Sequence, residues 1–239
     1  DIYTTEMSKS VWDKAFFIDK IPGAKYIIDF GCADGAMIHY LAPLFPDIKF
    51  IGYDINAELI NRAKNKTPVH NNEIYFTDIR KIIAYMQMKP AVKSEELCIN
   101  FSSVLHEVYS CTGGIGNIQR LIKELQPRYI TIRDMYCDEH LPFTVPTHDE
   151  VWGPLPAKQT REFEQTFGPL ADWRDMTHFL MKLQWIDNGW DEEMDEDYYS
   201  WTIEKFLDDI GEDYIPGFAC RYQLPYLSEK WKSEYGWYN

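Results

Sequence analysis

The chain has 239 residues, of which 45% are hydrophobic and 26% are charged, and its formal net charge is −14. This composition is that of an ordinary globular protein with a sizeable core, and no stretch approaches the roughly eighteen uninterrupted apolar residues that a membrane span needs. The acidic charge disfavours nonspecific binding to nucleic acid, which depends on Lys and Arg. Five cysteines without a C-x-x-C spacing predict a reducing cytoplasm and offer no zinc-ligand set, so no metal is expected.

The first 25 residues are predicted to form a helical lead-in that ends at Pro22-Gly23. Apolar side chains recur there at helical spacing: Val11, Trp12, Ala15, Phe16 and Ile18. Two positions for this helix are equally compatible with the sequence. It lies either over the ligand site of the following domain or against the edge of its sheet.

The stretch from Tyr26 to Gly35 predicts a buried strand followed by a Gly-rich turn and a helix. Gly31 and Gly35 are expected to let the backbone approach a ligand closely. The turn lacks the third glycine of the dinucleotide fingerprint, and Asp34 places negative charge where a pyrophosphate would bind. A neutral or cationic nucleoside ligand is therefore favoured over a dinucleotide, and an NAD-dependent oxidoreductase is disfavoured.

Strands and helices alternate through the next hundred residues, which predicts a parallel sheet covered by helices on both faces. Ligands of such sheets bind at the carboxyl ends of the strands, where polar residues recur in this chain. The predicted strands are Tyr26–Phe30, Lys49–Asp54, Glu73–Asp78, Glu96–Ser103 and Tyr129–Asp134, and the predicted helices after the first are Ala57–Lys66, Ile79–Met88 and Asn117–Leu125.

At the first turn the sequence resembles the class I S-adenosylmethionine-dependent methyltransferases, whose first motif is acid-x-Gly-x-Gly-x-Gly. Asp29, Gly31 and Gly35 match this motif, and Ala33 stands at its middle glycine. The resemblance continues through about Met135. It implies a Rossmann-like methyltransferase fold in a single domain and S-adenosyl-L-methionine as the cofactor.

The resemblance also implies which residues contact the cofactor. The turn would hold the methionine portion with Asp29 nearby, Asp54 would bind the ribose, Ile55 would pack on the adenine, and Asp78 with Ile79 would bind the adenine amine. A plainer interpretation makes Asp54 and Asp78 strand-end caps. The full predicted cofactor set is Asp29, Gly31, Cys32, Ala33, Gly35, Asp54, Ile55, Asp78, Ile79, Asn100, Phe101 and Ser102.

The fourth strand bears on the methyl acceptor. Asn100-Phe101-Ser102-Ser103 lacks the two prolines of the tetrad found in enzymes that methylate base amines or glutamine amides, and no cysteine follows a proline, as carbon-5 cytosine methylation requires. Both base-methylating subclasses are therefore disfavoured.

The segment Ser103 to His106 resembles the Ser-x-Leu-His sequence that follows strand four in methyltransferases of small molecules and of some RNA or protein substrates. The resemblance implies that His106 lies near the transferred methyl, where a histidine can accept a proton near neutral pH. The alternative is a histidine that caps a helix or binds a loop carbonyl. Glu107 either orients His106 or faces solvent. Further candidates for substrate contact are Tyr109, Arg133 and Asp134, although Arg133 could equally form a salt bridge.

Residues 136–214 are interpreted as a mostly helical cap inserted after the fifth strand, which shapes the substrate pocket or simply adds stability. One amphipathic helix is predicted from the spacing of Trp173, Met176, Leu180 and Leu183. The acidic run 191–197 is expected to be a solvated loop or helix start. A C-terminal strand over Phe218–Leu224 and a helix would complete residues 215–239.

These observations predict an S-adenosylmethionine-dependent methyltransferase that acts on an oxygen or nitrogen of a small or medium-sized substrate. An RNA or nucleotide acceptor is a second interpretation, although the net charge of −14 disfavours it. A third interpretation is a catalytically inactive subunit that binds the cofactor and stabilises a partner.

Overall fold

The structure of the protein is a computed structural model. It describes residues 11–68, 70–89, 93–111, 114–135, 155–187, 189–211, 213–220, 229–231 and 233–234. Across these residues, no helix has both the length and the apolar character needed to cross a bilayer.

A five-stranded parallel sheet forms the centre of the fold. Its spatial order is β3-β2-β1-β4-β5. The topological switch point therefore lies between β1 and β4, and ligands of such sheets bind at this point. The register sets Asp29 of β1 between Gly52 of β2 and Asn100 of β4. The strands are β1 Tyr26–Phe30, β2 Lys49–Tyr53, β3 Glu73–Phe76, β4 Leu97–Ser102 and β5 Tyr129–Arg133.

Helices connect the strands and then build the cap. A short 3-10 helix, Ser94–Glu96, precedes β4. The α-helices in the described residues are α1 Val11–Lys14, α2 Ala36–Leu41, α3 Ala57–Lys64, α4 Ile79–Gln87, α5 Leu105–Ser110, α6 Ile115–Leu125, α7 Ala157–Phe167, α8 Trp173–Leu183, α9 Trp190–Glu193 and α10 Ile203–Ile210.

Two hydrophobic clusters cover the two faces of the sheet. Because strand side chains alternate, Ile28 faces a cluster that includes α4, α6 and Phe206 of α10, whereas Ile27 faces a cluster with α2 and Phe17 of the lead-in. The doubly covered parallel sheet predicted from the sequence is therefore confirmed.

The cap has a hydrophobic cluster of its own. Phe163 of α7, Phe179 and Leu180 of α8, and Trp190 of α9 are buried together. The predicted amphipathic helix is α8, and its Met176, Leu180 and Leu183 are buried as the spacing implied.

Several boundaries differ from the predictions. Helix α1 covers only four residues and is followed by turns to Gly23, and α6 begins at Ile115, two residues earlier than expected. Helix α5 was not predicted, because six residues after a strand carry too little periodicity. The predicted strand over Phe218–Leu224 is not a strand in residues 218–220. The rest of that predicted strand lies outside the described residues. The same holds for residues 1–10 of the lead-in, residues 136–154 of the cap and the predicted C-terminal helix beyond residue 234.

Candidate functional site

The turn after β1 is shaped by its own protein neighbours. Gly31 and Gly35 have φ angles of 78° and 72°, which favour glycine. A Cβ at Gly31 would lie 2.6 Å from Val104 Cγ2, and one at Gly35 would lie 2.6 Å from Tyr75 Cε1. The sequence-based reason for these glycines, space for a ligand, is therefore incomplete, since packing against two side chains already requires them.

Asp54 at the end of β2 holds the middle of this turn. Its Oδ2 accepts a hydrogen bond from Ala33 N at 2.8 Å, and its Oδ1 accepts one from Asn56 N at 2.9 Å. Ala33 has a φ of 48°, a conformation that a non-glycine residue rarely adopts, and the hydrogen bond to Asp54 stabilises it there. Each carboxylate oxygen can accept a second hydrogen bond, so this structural role leaves Asp54 able to bind a hydroxyl.

Asp34 is paired within the protein. Its Oδ2 lies 2.7 Å from Lys66 Nζ, and its Oδ1 accepts from Ala36 N at 3.2 Å, at the start of α2. The charge of Asp34 is thus partly compensated. Asp34 would therefore repel a pyrophosphate less than an unpaired carboxylate would, and the missing third glycine is the stronger reason against a dinucleotide.

Of the three predicted adenine contacts, Ile55 has an exposed side chain, whereas the side chains of Asp78 and Ile79 contact other residues of the protein. Ile55 is 81% exposed next to Asp54, as a residue that covers a ligand ring would be. Asp78 caps α4 and binds Arg80 through both carboxylate oxygens, and these hydrogen bonds lower its pKa to about 2. The Ile79 side chain is buried in the core, so only its backbone could contact a ligand.

Asp29 and Asn100 form a buried polar pair beneath the turn. Asn100 Nδ2 donates to Asp29 Oδ1 at 2.8 Å, and Asn100 Oδ1 accepts from Thr131 at 2.8 Å. Burial raises the pKa of Asp29 to about 6, although the hydrogen bond from Asn100 and the charge of Lys14 oppose this shift. The amide of Asn100 is thus engaged by the protein rather than turned toward a ligand.

The remaining residues of the predicted cofactor set are buried. Phe101 packs in the core against Phe30 and Phe206, so its side chain does not face the turn. Ser102 is buried, and within the described part of the chain its hydroxyl has no hydrogen-bond partner. Cys32 is buried beside acidic groups, and burial raises the pKa of its thiol well above the ordinary value, so it is not a reactive thiolate.

Lys14 of α1 was not predicted as part of the site. The side chain is half-buried, and burial lowers its pKa to about 8, against the raising effect of Asp29, Asp34 and Glu107. The ammonium therefore lies within electrostatic range of carboxylates at the carboxyl end of the sheet. Phe17 and Ile21 of the same lead-in pack in the hydrophobic cluster on one face of the sheet, so both positions considered for the lead-in stay open.

His106 in α5 is fixed by Asp134. Its Nδ1 lies 2.6 Å from Asp134 Oδ1, while Asp134 Oδ2 accepts from the backbone of Val104 at 3.0 Å and of Leu105 at 2.7 Å. The side chain of Asp134 is fully buried. Both oxygens of Asp134 are thus used to start α5 and to orient the imidazole, the role that the sequence assigned to Glu107 as one of two alternatives. Contact of Asp134 with the substrate stays a prediction.

A group formed by His106, Glu107 and Glu196 lies on the other side of the imidazole. His106 Nε2 is 3.7 Å from Glu196 Oε2, and the Tyr198 ring meets the imidazole edge-on at 5.2 Å. Burial raises the pKa of Glu107 to about 7, and the nearby Glu196 adds to this shift while His106 opposes it. The acidic run 191–197 was expected to be solvated. The first residues of this run belong to helix α9, but the Glu196 side chain turns inward. We call His106, Glu107 and Glu196 the His106 group.

Tyr109 and Arg133 have other partners. The Tyr109 hydroxyl donates to Asp209 of α10 at 2.7 Å, and the Lys205 ammonium lies 4.6 Å from the centre of its ring. Tyr109 is thus engaged with α10, and the structure does not bring it into the His106 group. Arg133 Nη1 donates to Ser103 Oγ at 2.9 Å, a contact that holds the loop after β4.

Comparison with protein families gives the class to which this fold and site belong. Residues 23–193 match the family model described as a methyltransferase domain. Because the match covers well over half of the chain, the protein belongs to this methyltransferase family. The resemblance to class I S-adenosylmethionine-dependent methyltransferases is confirmed, and S-adenosylmethionine is the cofactor to be considered for the site.

Comparison with curated proteins returned no match, whereas comparison with solved structures returned methyltransferases that align with about half of this chain. The plantazolicin methyltransferase BamL, solved in complex with a triazolic desmethylPZN analog and SAH, is 23% identical over 49% of this chain and 40% of its own, with a TM-score of 0.35. The bifunctional kinase-methyltransferase WbdD is 21% identical over 53% of this chain and 28% of its own, with a TM-score of 0.36. This chain thus spans less than half the length of either protein, and scores this low carry no argument about substrate.

Proposed function

We propose that the protein transfers a methyl group from S-adenosylmethionine to an oxygen or nitrogen of a small or medium-sized acceptor. One observation carries this proposal. Asp54 follows β2 and His106 lies in the helix after β4, and both strands pair in parallel with β1, so the His106 group and the carboxylate expected to bind the ribose lie at the same end of the sheet. A cytoplasmic location remains a prediction from cysteine usage.

The residues present fit the cofactor. The turn and Asp54 supply backbone and carboxylate groups, and the exposed Ile55 supplies an apolar surface for the adenine. Asp29, Asp34 and Glu107 make this end of the sheet acidic, which suits the positively charged sulfonium. When bound, S-adenosylmethionine supplies an electrophilic methyl group on sulfur.

Methyl transfer by in-line displacement depends mainly on alignment of donor and acceptor. A proton must be removed only when the acceptor carries one at the attacking atom. The His106 group is the place we assign to this step, and Asp134 is its positioning residue, since it fixes the ring through Nδ1 and leaves Nε2 toward the acceptor side. Direct proton transfer to His106 requires a free lone pair on Nε2.

The acidic surroundings of the His106 group support a small acceptor over a nucleic acid. Glu107 and Glu196 would repel a phosphate backbone, and the chain has a net charge of −14. The alternative, an inactive subunit that binds the cofactor, gives a different expectation. In that case, replacing His106 would not affect any methylation reaction that the protein supports.

Calorimetric binding of S-adenosylmethionine and S-adenosylhomocysteine tests the proposal. We expect micromolar affinity in the wild type and a loss of about 10- to 100-fold in Asp54→Ala, the equivalent of one charged hydrogen bond of about 1.5–3 kcal/mol. Asp54→Asn keeps an oxygen that can accept a hydrogen bond from Ala33 N but removes the negative charge. It therefore separates the effect of that charge on cofactor binding from the effect of Asp54 on the stability of the turn. Asp47→Ala removes an exposed acid nearby in sequence and should bind like the wild type. Absence of binding by the wild type would refute the proposal.

A further inference from the structure

The His106 group has the composition and spacing of a metal-ion site. One imidazole nitrogen of His106 and one carboxylate oxygen each from Glu107 and Glu196 all lie within 4.8 Å of one another. Ligand atoms around one divalent cation are bound at about 2.0–2.2 Å. A small adjustment of the two glutamate side chains would therefore bring all three donors onto one ion.

The imidazole is held as metal-bound histidines are held. In metal sites, the ring nitrogen that does not bind the metal usually donates to a carboxylate, which fixes the tautomer and the ring orientation. Here Nδ1 is bound to the buried Asp134 at 2.6 Å, and Nε2 points toward Glu196. His106 is only 4% exposed, so its orientation is set by the fold and not by solvent.

The two glutamates present their carboxylates beside the free side of this fixed ring. Glu196 Oε2 is 3.7 Å from His106 Nε2, and a carboxylate oxygen of Glu107 lies within 4.8 Å of both donors. Two neighbouring carboxylates repel each other, and a divalent cation between them would offset that repulsion.

We infer that His106, Glu107 and Glu196 bind one divalent cation at the acceptor side of the site. One imidazole and two carboxylates suit ions of the Mn²⁺, Fe²⁺ and Zn²⁺ class. This proposal replaces the expectation from the sequence that the protein binds no metal. The use of the cation in methyl transfer rests on the proposed function, whereas its binding does not.

The cation would narrow the acceptor class. Three protein ligands leave coordination positions for oxygen donors, so the acceptor would carry a hydroxyl or carboxylate oxygen able to bind the ion. A cation on Nε2 would occupy the lone pair that His106 needs to act directly as a base. Cation binding and direct proton transfer to His106 therefore exclude each other, and the experiment separates them.

The test is a titration of the tag-free, chelator-treated full chain with Mn²⁺, followed by the electron paramagnetic resonance signal of the free ion. We expect one ion per chain in the wild type and at least a tenfold weaker affinity in Glu196→Gln. Glu192→Gln changes an exposed acid of the same segment and should match the wild type. Asp134→Asn keeps an oxygen at the same place but weakens the orientation of the ring, and a loss of about tenfold is expected.

Circular dichroism and S-adenosylhomocysteine binding would be measured on every variant, so that a misfolded protein is not mistaken for a lost ligand. Stoichiometric Mn²⁺ binding that survives in Glu196→Gln would overturn the inference, as would a wild type that binds no ion at 1 mM, a concentration at which even weak sites of about 10⁻⁴ M are filled. If the cofactor binds but Mn²⁺ does not, the cation site is refuted and the proposed function is unaffected. If Mn²⁺ binds but the cofactor does not, the site stands and the proposed function fails.

Discussion

The sheet and the cap are built from different kinds of interior. Around the sheet the buried residues are almost all apolar, and the exceptions cluster at the carboxyl end of the strands, as with Asp29, Asn100 and Ser102. In the cap, Lys182 and His178 of α8 are buried within the hydrophobic cluster itself. The sheet half therefore depends chiefly on shape and apolar area, whereas the cap depends on specific polar contacts.

Lys182 shows what the polar interior of the cap accomplishes. Its ammonium donates to the backbone carbonyls of Glu193 and Glu196 and lies 4.2 Å from the centre of the Tyr198 ring. The same segment carries the Glu196 carboxylate and the Tyr198 ring to His106. A buried cation in the cap thus holds the residues that complete the His106 group, a long-range link that an apolar side chain could not make.

Lys182→Met removes this link and should have the largest effect on stability. Two buried carbonyls would lose their donor, at a cost of about 1–3 kcal/mol each. Burial already lowers the pKa of Lys182 to about 8, so part of that cost is returned when the ammonium is removed. We expect a net loss of about 3 kcal/mol in the free energy of unfolding, measured by urea denaturation, with faster proteolysis within residues 155–210.

Lys158→Met is the matched control, because this lysine lies on α7 with 73% of its side chain exposed. It should change the free energy of unfolding by less than about 0.5 kcal/mol. Cofactor binding by Lys182→Met should stay close to that of the wild type. Equal losses of cap stability and of cofactor affinity would contradict the division between the two halves.

Gly52→Ala tests the opposite half, where shape is decisive. A Cβ at this position would lie 2.4 Å from Tyr75 Cδ1 and 2.8 Å from Cys32 Sγ. We expect a loss of about 2 kcal/mol in the free energy of unfolding from overpacking, measured by thermal and urea denaturation. In a Tyr75→Val background the same change should cost less, because the ring that it meets is gone.

Gly116→Ala provides the contrast within the same half of the molecule. This glycine lies inside α6, and a Cβ there would meet no atom within 4 Å. Replacement should stabilise the protein by about 0.5–1 kcal/mol through helix propensity. A destabilisation like that of Gly52→Ala would contradict the view that the space around an added Cβ decides its cost in this half of the molecule.

Much of the sheet half could be predicted from the sequence because its information is local. The apolar strand followed by Asp29 and Gly31 and the cap residue Asn56 before α3 are each readable within a few residues, and Asn56 indeed accepts from Glu58 N at 2.9 Å. A parallel sheet then gathers its strand ends at one edge by topology alone. The placement of Asp54 beside the turn follows from that rule.

The partners of His106 could not be predicted in the same way. Asp134 is 28 residues away and Glu196 is 90 residues away in sequence, and no periodicity links them to His106. The acidic run that contains Glu196 has the composition of a solvated segment, and contacts that are distant in sequence hold it inward, from the buried Lys182 and from Ser110 of α5. A signal was present in Lys182 itself, a lysine between the apolar positions of an amphipathic helix, which is rarely buried without a polar partner.

His178 should make the cap less stable as the pH falls, whereas the buried Asp29 of the sheet half, whose pKa is raised to about 6, has the opposite effect. Burial lowers the pKa of His178 to about 3, with further lowering by Lys182 and His106, and Tyr198 N donates to its Nε2 at 3.4 Å. The folded cap holds this histidine neutral, whereas the unfolded chain protonates it near pH 6.5. Its contribution to stability is therefore fully present above pH 6.5 and is lost progressively as the pH falls toward 3.

Between pH 7 and pH 5.5 this loss amounts to about 1 kcal/mol, which is less than the losses expected for Lys182→Met and Gly52→Ala. His178→Gln cannot titrate and keeps an oxygen that can accept from Tyr198 N, so its stability should fall less steeply than that of the wild type over this interval. The measurement is urea denaturation at both pH values. Identical slopes in the two proteins would show that His178 is in contact with solvent and is not held neutral by burial. His178 would then not distinguish the cap from the sheet half.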